Sequence, residues 1–141
     1  MTVRDAMAAD VRSVTTDDSV AAAARAMRDA GTGFLPVLDG GRVAGVVTDR
    51  DLVVRFLAEG GTDPGGTLVG EVMSRDVTTI GPDEELTAAG EAMRDREVRR
   101  LVVVEGGAVV GVLSHGALVQ ATDAEGAGRQ ATLGVTEGAQ G

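Results

Sequence analysis

Thr48 and Asp51 are the residues of this chain whose types and spacing indicate chemistry. They follow the apolar run at residues 43–47, where a predicted strand ends and a predicted helix begins, so unpaired backbone N–H groups are expected beside them. A carboxylate at this position can accept hydrogen bonds from both hydroxyls of a ribose diol. The same spacing also forms a capping box, in which Asp51 bonds back to the Thr48 backbone and contributes about 1 kcal/mol without a ligand. The residues alone leave ribose binding and capping equally open.

Elsewhere the sequence contains few residues that could support catalysis. The chain has no cysteine and a single histidine, His115, with no metal-ligating residue three or four positions further on. This composition excludes cysteine nucleophiles and thiolate zinc sites, and it argues against a zinc site at His115. We therefore expect a non-catalytic protein that binds without turnover, with no metal site and no tightly bound cofactor.

The net charge of −9 argues against nucleic acid or an anionic membrane as a bulk partner, because both require clustered cations. A phosphate-bearing ligand would need local basic residues within this acidic chain. The sequence has no apolar run near the ~18 residues of a membrane span, and residues 1–10 lack a signal-peptide pattern. The expected localisation is therefore cytoplasmic.

The elements that position Thr48 and Asp51 occur twice. Residues 3–53 align without a gap on residues 69–119, at an offset of 66, with twenty identical pairs. Each unit of about fifty residues is marginal on its own, so the two copies are expected to share a core. Internal duplication therefore organises the fold.

Each copy reads as β-α-β-β-α. In the first copy, Val20, Ala23, Ala24 and Met27 lie at helical spacing, and Gly31 ends that helix. Strand-like runs follow at residues 34–38 and 43–47, separated by an Asp-Gly-Gly-Arg turn. The second copy repeats this pattern at the same offset.

These patterns divide the chain into four parts. Residues 1–56 form the first repeat and residues 68–122 the second, and the Gly-rich residues 57–67 link them. Residues 123–141 lack apolar periodicity and are expected to form a disordered tail.

The duplicated unit resembles the cystathionine-β-synthase (CBS) domain, whose tandem pairs are called Bateman modules. The matching motifs are Asp5-Ala6-Met7, Leu35-Pro36-Val37 and Gly45-Val46-Val47-Thr48-Asp49-Arg50-Asp51-Leu52, with Glu71-Val72-Met73, Arg100-Leu101-Val102-Val103-Val104 and Gly111-Val112-Leu113-Ser114 in the second copy. The Thr-Asp-Arg-Asp run is most similar to small stand-alone two-CBS proteins, including the hypoxia-response type. The resemblance implies an α+β fold, with two β-α-β-β-α repeats packed by pseudo-two-fold symmetry.

The resemblance also implies a function. CBS pairs typically bind adenosine-bearing ligands such as AMP, ADP, ATP or S-adenosylmethionine in the cleft between the repeats. They usually act as regulatory sensors, for example in stress responses, and assemble as homodimers. The implied partners are therefore an adenosine-type small molecule, a second copy of the chain and an unidentified regulated protein.

In the family motif Gly-h-h-[Ser/Thr]-x-x-Asp, where h is a hydrophobic residue, the positions of Thr48 and Asp51 contact sugar or phosphate and the ribose diol. This comparison favours nucleotide binding over capping alone. The other positions implied by the resemblance are a base pocket of Val46, Thr78, Thr79, Ile80 and Val98, and phosphate contacts from Arg50, Arg99 and Arg100.

The second copy departs from the motif. Asp51 aligns with Ala117 and Arg50 with Gly116, while Ser114 keeps the hydroxyl of Thr48. The second site is therefore expected to be degenerate, with at most one standard nucleotide bound per chain. The alternative hypothesis is a ligand-free homodimeric scaffold in which both nucleotide sites are degenerate.

Overall fold

The computed structural model describes the backbone of residues 1–137 and the side chains of residues 1–126. The first repeat contains α1 (Val3–Ala6), β1 (Val14–Thr15), α2 (Val20–Ala30), β2 (Phe34–Asp39), β3 (Arg42–Thr48), α3 (Asp49–Asp51) and a π-helix (Leu52–Leu57). The second repeat contains α4 (Val69–Val72), β4 (Thr79–Ile80), α5 (Leu86–Asp95), β5 (Arg100–Glu105), β6 (Ala108–Ser114) and α6 (His115–Glu137). No helix in the described part of the chain is long and apolar enough to cross a membrane.

The two repeats build the same three-stranded sheet. In each, the first strand pairs in parallel with the second, and the second pairs antiparallel with the third. The register repeats at the offset of 66, because Leu35 faces Val47 in one sheet and Leu101 faces Leu113 in the other. The α+β fold of two equivalent repeats is thereby confirmed, with a first strand of only two residues in each repeat.

Helix α2 forms where the sequence predicts it. The Ser19 hydroxyl caps the helix by accepting a hydrogen bond from the Ala22 amide at 3.0 Å. Val20, Ala23 and Met27 are buried against the sheet of the first repeat, and Gly31 ends the helix with φ of 67°. Helix α2 therefore covers one face of its own sheet.

The first short helix of each repeat belongs to the core of the other repeat. Val3 of α1 is fully buried in the second-repeat core, and its amide donates to the Glu84 carbonyl at 2.8 Å. Val69 of α4 is fully buried in the first-repeat core, and its amide donates to the Asp18 carbonyl at 2.7 Å. The boundaries at 1–56 and 68–122 thus follow the sequence repeat but not the two hydrophobic cores.

The exchanged segments cross the sheets at two glycines. Gly45 on β3 lies directly beneath the Ser74 carbonyl, which occupies the space that a Cβ atom would need. Val46 and Ser74 exchange two backbone hydrogen bonds at this crossing, 2.9 and 2.8 Å long. At the equivalent Gly111, a Cβ atom would lie 2.7 Å from the Met7 sulfur. Glycine is required at both positions because the crossing chain approaches so closely.

Helix α6 is described as far as Glu137, so it extends into the stretch from residue 123 for which the sequence predicts a disordered tail. Extending an existing helix avoids the cost of nucleation, so the residues after Thr122 continue α6 without starting a new helix. Residues 138–141 of the expected tail lie outside the described part of the chain.

Candidate functional site

The Thr48–Asp51 capping box is formed. The Asp51 amide donates to Thr48 Oγ1 at 3.1 Å, and the Thr48 amide donates to Asp51 Oδ2 at 2.9 Å. Thr48 ends β3 in an extended conformation, and this places its amide and hydroxyl over the first turn of α3. Asp51 is only 9% exposed, because the box folds its carboxylate back against the helix start.

Arg55, one helical turn after Asp51, contacts two parts of the chain although 52% of its side chain is exposed. One of its terminal nitrogens, Nη1, donates to the Met73 carbonyl at 2.9 Å, and its Nε lies 3.7 Å from Asp51 Oδ1. Arg55 therefore joins the Asp51 carboxylate to the chain leaving α4. Each carboxylate oxygen of Asp51 therefore has a partner. Oδ2 accepts a hydrogen bond from the Thr48 amide at 2.9 Å, and Oδ1 lies 3.7 Å from Arg55 Nε.

A cavity of about 490 Å³, which we call the first cavity, lies between the ends of β3 and β5. Seven residues expected from the sequence line it: Val46, Thr48, Arg50, Thr78, Val98, Arg99 and Arg100. Three others do not. Asp51 is held in the capping box, Thr79 is exposed on β4, and Ile80 packs against the second-repeat core.

Four further residues line the first cavity and were missed: Phe34, Asp76, Val77 and Glu97. The sequence repeat marks two of them, since Asp76 and Val77 are identical to Asp10 and Val11 at the offset of 66. Phe34 and Glu97 differ from their aligned partners, Arg100 and Gly31, and this irregularity did not indicate that either residue lines a cavity.

The lining of the first cavity is basic on balance. Arg50, Arg99 and Arg100 contribute three positive charges, against the carboxylates of Asp76 and Glu97. The guanidinium carbon of Arg100 lies 5.5 Å from the centre of the Phe34 ring, a cation–π contact typically worth 0.5–1 kcal/mol at an exposed site. This local cation density is what an anionic ligand needs on a protein of net charge −9.

A second cavity of about 450 Å³ lies at the pseudo-symmetric position. Val112, Ser114 and Ala117 stand there in place of Val46, Thr48 and Asp51. Ser114 keeps the capping role, since its Oγ accepts from the Ala117 amide at 3.1 Å, but the carboxylate is absent. Phe34 and Arg100 line both cavities, so this pair forms the partition between them.

The residues described by the structure contain no group of three or more His, Cys, Asp or Glu side chains arranged to hold a metal ion. His115 lies instead at the start of α6, where its backbone amide donates to the Arg99 carbonyl at 2.7 Å.

Comparison with known proteins identifies the family. The sequence matches the CBS domain over residues 3–58 and again over residues 69–123. The chain belongs to the CBS domain family. It carries two CBS domains, and the first cavity lies between them.

Relatives of similar size share this organisation. The CBS domain-containing protein YhcV of Bacillus subtilis is 34% identical over 116 residues, which are 82% of this chain and 81% of YhcV. Hypoxic response protein 1 of Mycobacterium tuberculosis is 32% identical over 115 residues, 81% and 80% of the two chains. The crystal structure of CBSX2 in complex with AMP superposes with a TM-score of 0.74 at 26% identity, covering 86% of this chain and 95% of CBSX2.

Proposed function

We propose that this CBS pair is a non-catalytic regulatory module that binds an adenosine-bearing ligand, such as AMP, in the first cavity. The observation that carries the proposal is the convergence of three arginines, Arg50, Arg99 and Arg100, on a cavity with apolar walls. CBSX2, which has the same fold, is known in complex with AMP.

The first cavity has the size and lining that a mononucleotide requires. Its volume of about 490 Å³ lies within the usual range for small-molecule sites, roughly 300–1,000 Å³. Val46, Val77 and Val98 offer apolar surface to a purine base. The arginines offer charge-assisted hydrogen bonds to a phosphate, and guanidinium groups can make these in pairs.

Thr48 and Asp51 contribute differently to this proposal. Thr48 is on the cavity lining, so its hydroxyl is available to sugar or phosphate. Asp51 keeps Oδ2 on the Thr48 amide and Oδ1 3.7 Å from Arg55, and it does not line the first cavity. Ligand contact by Asp51 therefore requires its side chain to turn towards the cavity.

Binding would act on a partner by shifting the packing of the two CBS domains or of a homodimer. Val53, Val54 and Leu57 on the π-helix are 56%, 45% and 61% exposed, and Val119 on α6, the pseudo-symmetric equivalent of Val53, is 41% exposed. We infer a homodimer in which these faces are covered, because exposed apolar clusters of this kind are typical of interfaces. The regulated protein would respond to the packing of that dimer.

Calorimetric titration tests the site with AMP, ATP, S-adenosylmethionine and adenosine. Arg99→Ala is expected to weaken AMP binding at least fivefold and to leave adenosine binding unchanged, because it removes a phosphate contact. Arg25→Ala, which removes an exposed arginine of α2 outside the first cavity, is the matched control and should bind AMP as the wild type does. Equal AMP affinity in wild type and Arg99→Ala, or no binding by either, would reject the site.

A ligand-free homodimeric scaffold is the second candidate function. The formed capping box favours the scaffold, because the Asp51 carboxylate already contacts Thr48 and Arg55 without a ligand. Native mass spectrometry separates the two functions. A dimer that carries no additional mass, even in millimolar AMP, would support the scaffold, and one nucleotide-sized mass per protomer would exclude it.

A further inference from the structure

Glu97 has a backbone conformation that L-amino acids rarely adopt. Its φ is 54°, and among the residues that the structure describes it is the only non-glycine with positive φ. The left-handed region brings the Cβ atom close to the following carbonyl, which is why glycine usually occupies such positions. A glutamate held there requires an explanation.

The helix end at Glu97 does not itself require a glutamate. Helix α5 ends in a Schellman motif, with the Val98 amide donating to the Met93 carbonyl at 2.9 Å and the Glu97 amide to the Arg94 carbonyl at 3.2 Å. Helix α2 ends in the same pair of hydrogen bonds, 3.1 and 3.3 Å long, around Gly31 with φ of 67°. The chain therefore uses glycine for this turn in one repeat and glutamate in the other.

The Glu97 side chain has no structural partner that would explain the substitution. Glu97 is exposed, and its carboxylate makes no hydrogen bond or ion pair with any residue that the structure describes. It lines the first cavity, whereas Gly31 lines neither that cavity nor the second one. Asp76, the other acid on the lining, lies 3.9 Å from Arg96. Glu97 is thus the unpaired carboxylate of the first cavity.

We propose that Glu97 determines ligand specificity in the first cavity by accepting hydrogen bonds from the two ribose hydroxyls of the bound nucleotide. A carboxylate accepts a vicinal diol through both oxygens, and its charge directs phosphate groups away towards the arginines of the lining, Arg50, Arg99 and Arg100. The strained backbone is retained because it places this acceptor at the cavity. The inference rests on the proposed function, since it names a determinant of the same site.

Three variants separate this role from a structural one. Glu97→Gly relieves the backbone strain, so its melting temperature should rise by about 2–4 °C while AMP affinity falls about tenfold. Glu97→Gln keeps the strain and removes the charge, so AMP affinity should fall without a gain in melting temperature. Gly31→Glu is the matched control, because a Cβ atom there meets no atom within 4 Å. It should lower the melting temperature by a similar amount and leave AMP affinity unchanged.

Calorimetry with AMP and 2′-deoxy-AMP decides the outcome. The proposal expects Glu97→Gly to weaken AMP binding strongly and 2′-deoxy-AMP binding much less, because the deoxy sugar has already lost one of the two donors. Equal losses for both ligands, or unchanged AMP affinity with a raised melting temperature, would overturn the role of Glu97 and leave the proposed function standing. Absence of AMP binding to the wild-type chain would overturn both.

Discussion

Gly45→Ala tests whether the two CBS domains are held together where the chain leaving α4 crosses β3. The Ser74 carbonyl occupies the position of the new methyl group, and this neighbour is backbone, so it cannot rotate away as a side chain would. Gly45 must therefore separate from Ser74, and the two hydrogen bonds between Val46 and Ser74 must lengthen or break.

The size of the effect follows from these contacts. Each backbone hydrogen bond contributes about 1 kcal/mol net, and forcing a methyl group into a packed region costs about 1–3 kcal/mol. We expect Gly45→Ala to lower the free energy of unfolding by about 2–4 kcal/mol. For a chain of 141 residues this corresponds to a fall in melting temperature of about 10 °C.

Thermal unfolding followed by circular dichroism measures this change, and urea denaturation gives the free energy. Gly116→Ala is the matched control, because a Cβ atom at Gly116 meets no atom within 4 Å and the residue lies in α6. It should be neutral or stabilising by about 0.5 kcal/mol. A Gly45→Ala melting temperature within about 2 °C of the wild type would refute the close crossing at Ser74.

Two further predictions concern the ends of helices. Ser114→Ala should lower the free energy of unfolding by about 1 kcal/mol in urea, because it removes the acceptor of the Ala117 amide, whereas the exposed Ser13 should tolerate alanine without change. The pKa of Asp5 is held below its ordinary value, chiefly by the backbone hydrogen bond from Thr2. Ionised Asp5 therefore stabilises the fold above the pKa of the unfolded chain, and this stabilisation is lost as the pH falls through the lower pKa of the folded chain. A carboxyl ¹³C titration by NMR that placed the Asp5 pKa at or above that of a model peptide would contradict this.

The regular elements were predictable because their signals are local. The periodicity of Val20, Ala23 and Met27 marks α2, and the Asp-Gly-Gly-Arg turn between two apolar runs marks the first hairpin. The offset of 66 then transfers both elements to the second copy. Helices α1 and α4 were not predicted, because four residues are too short to show a helical period.

The exchange of α1 and α4 between cores could not be read from the sequence at all. Val3 and Val69 are identical residues at equivalent positions, and nothing in their surroundings shows which core each one joins. That choice depends on contacts between the repeats, which only the folded chain reveals.

The candidate site was predicted in outline. Seven of the expected residues line the first cavity because the family motif fixes the ends of β3 and β5. Asp51 fits both the family motif and a capping box, so the sequence alone could not decide whether its carboxylate binds ribose or caps the helix. Glu97 was missed because its significance lies in φ, although its alignment with Gly31 was a visible irregularity in the repeat.

The exchanged first helices also determine how the protein would respond to cleavage. A cut between Thr62 and Asp63 would sever the connection between the repeats without removing a single buried side chain from either core. The two fragments would stay associated, since each retains a helix that completes the other, and either fragment alone would expose the groove that this helix fills. Nicked protein is therefore expected to elute from a sizing column as one species until denaturant is added.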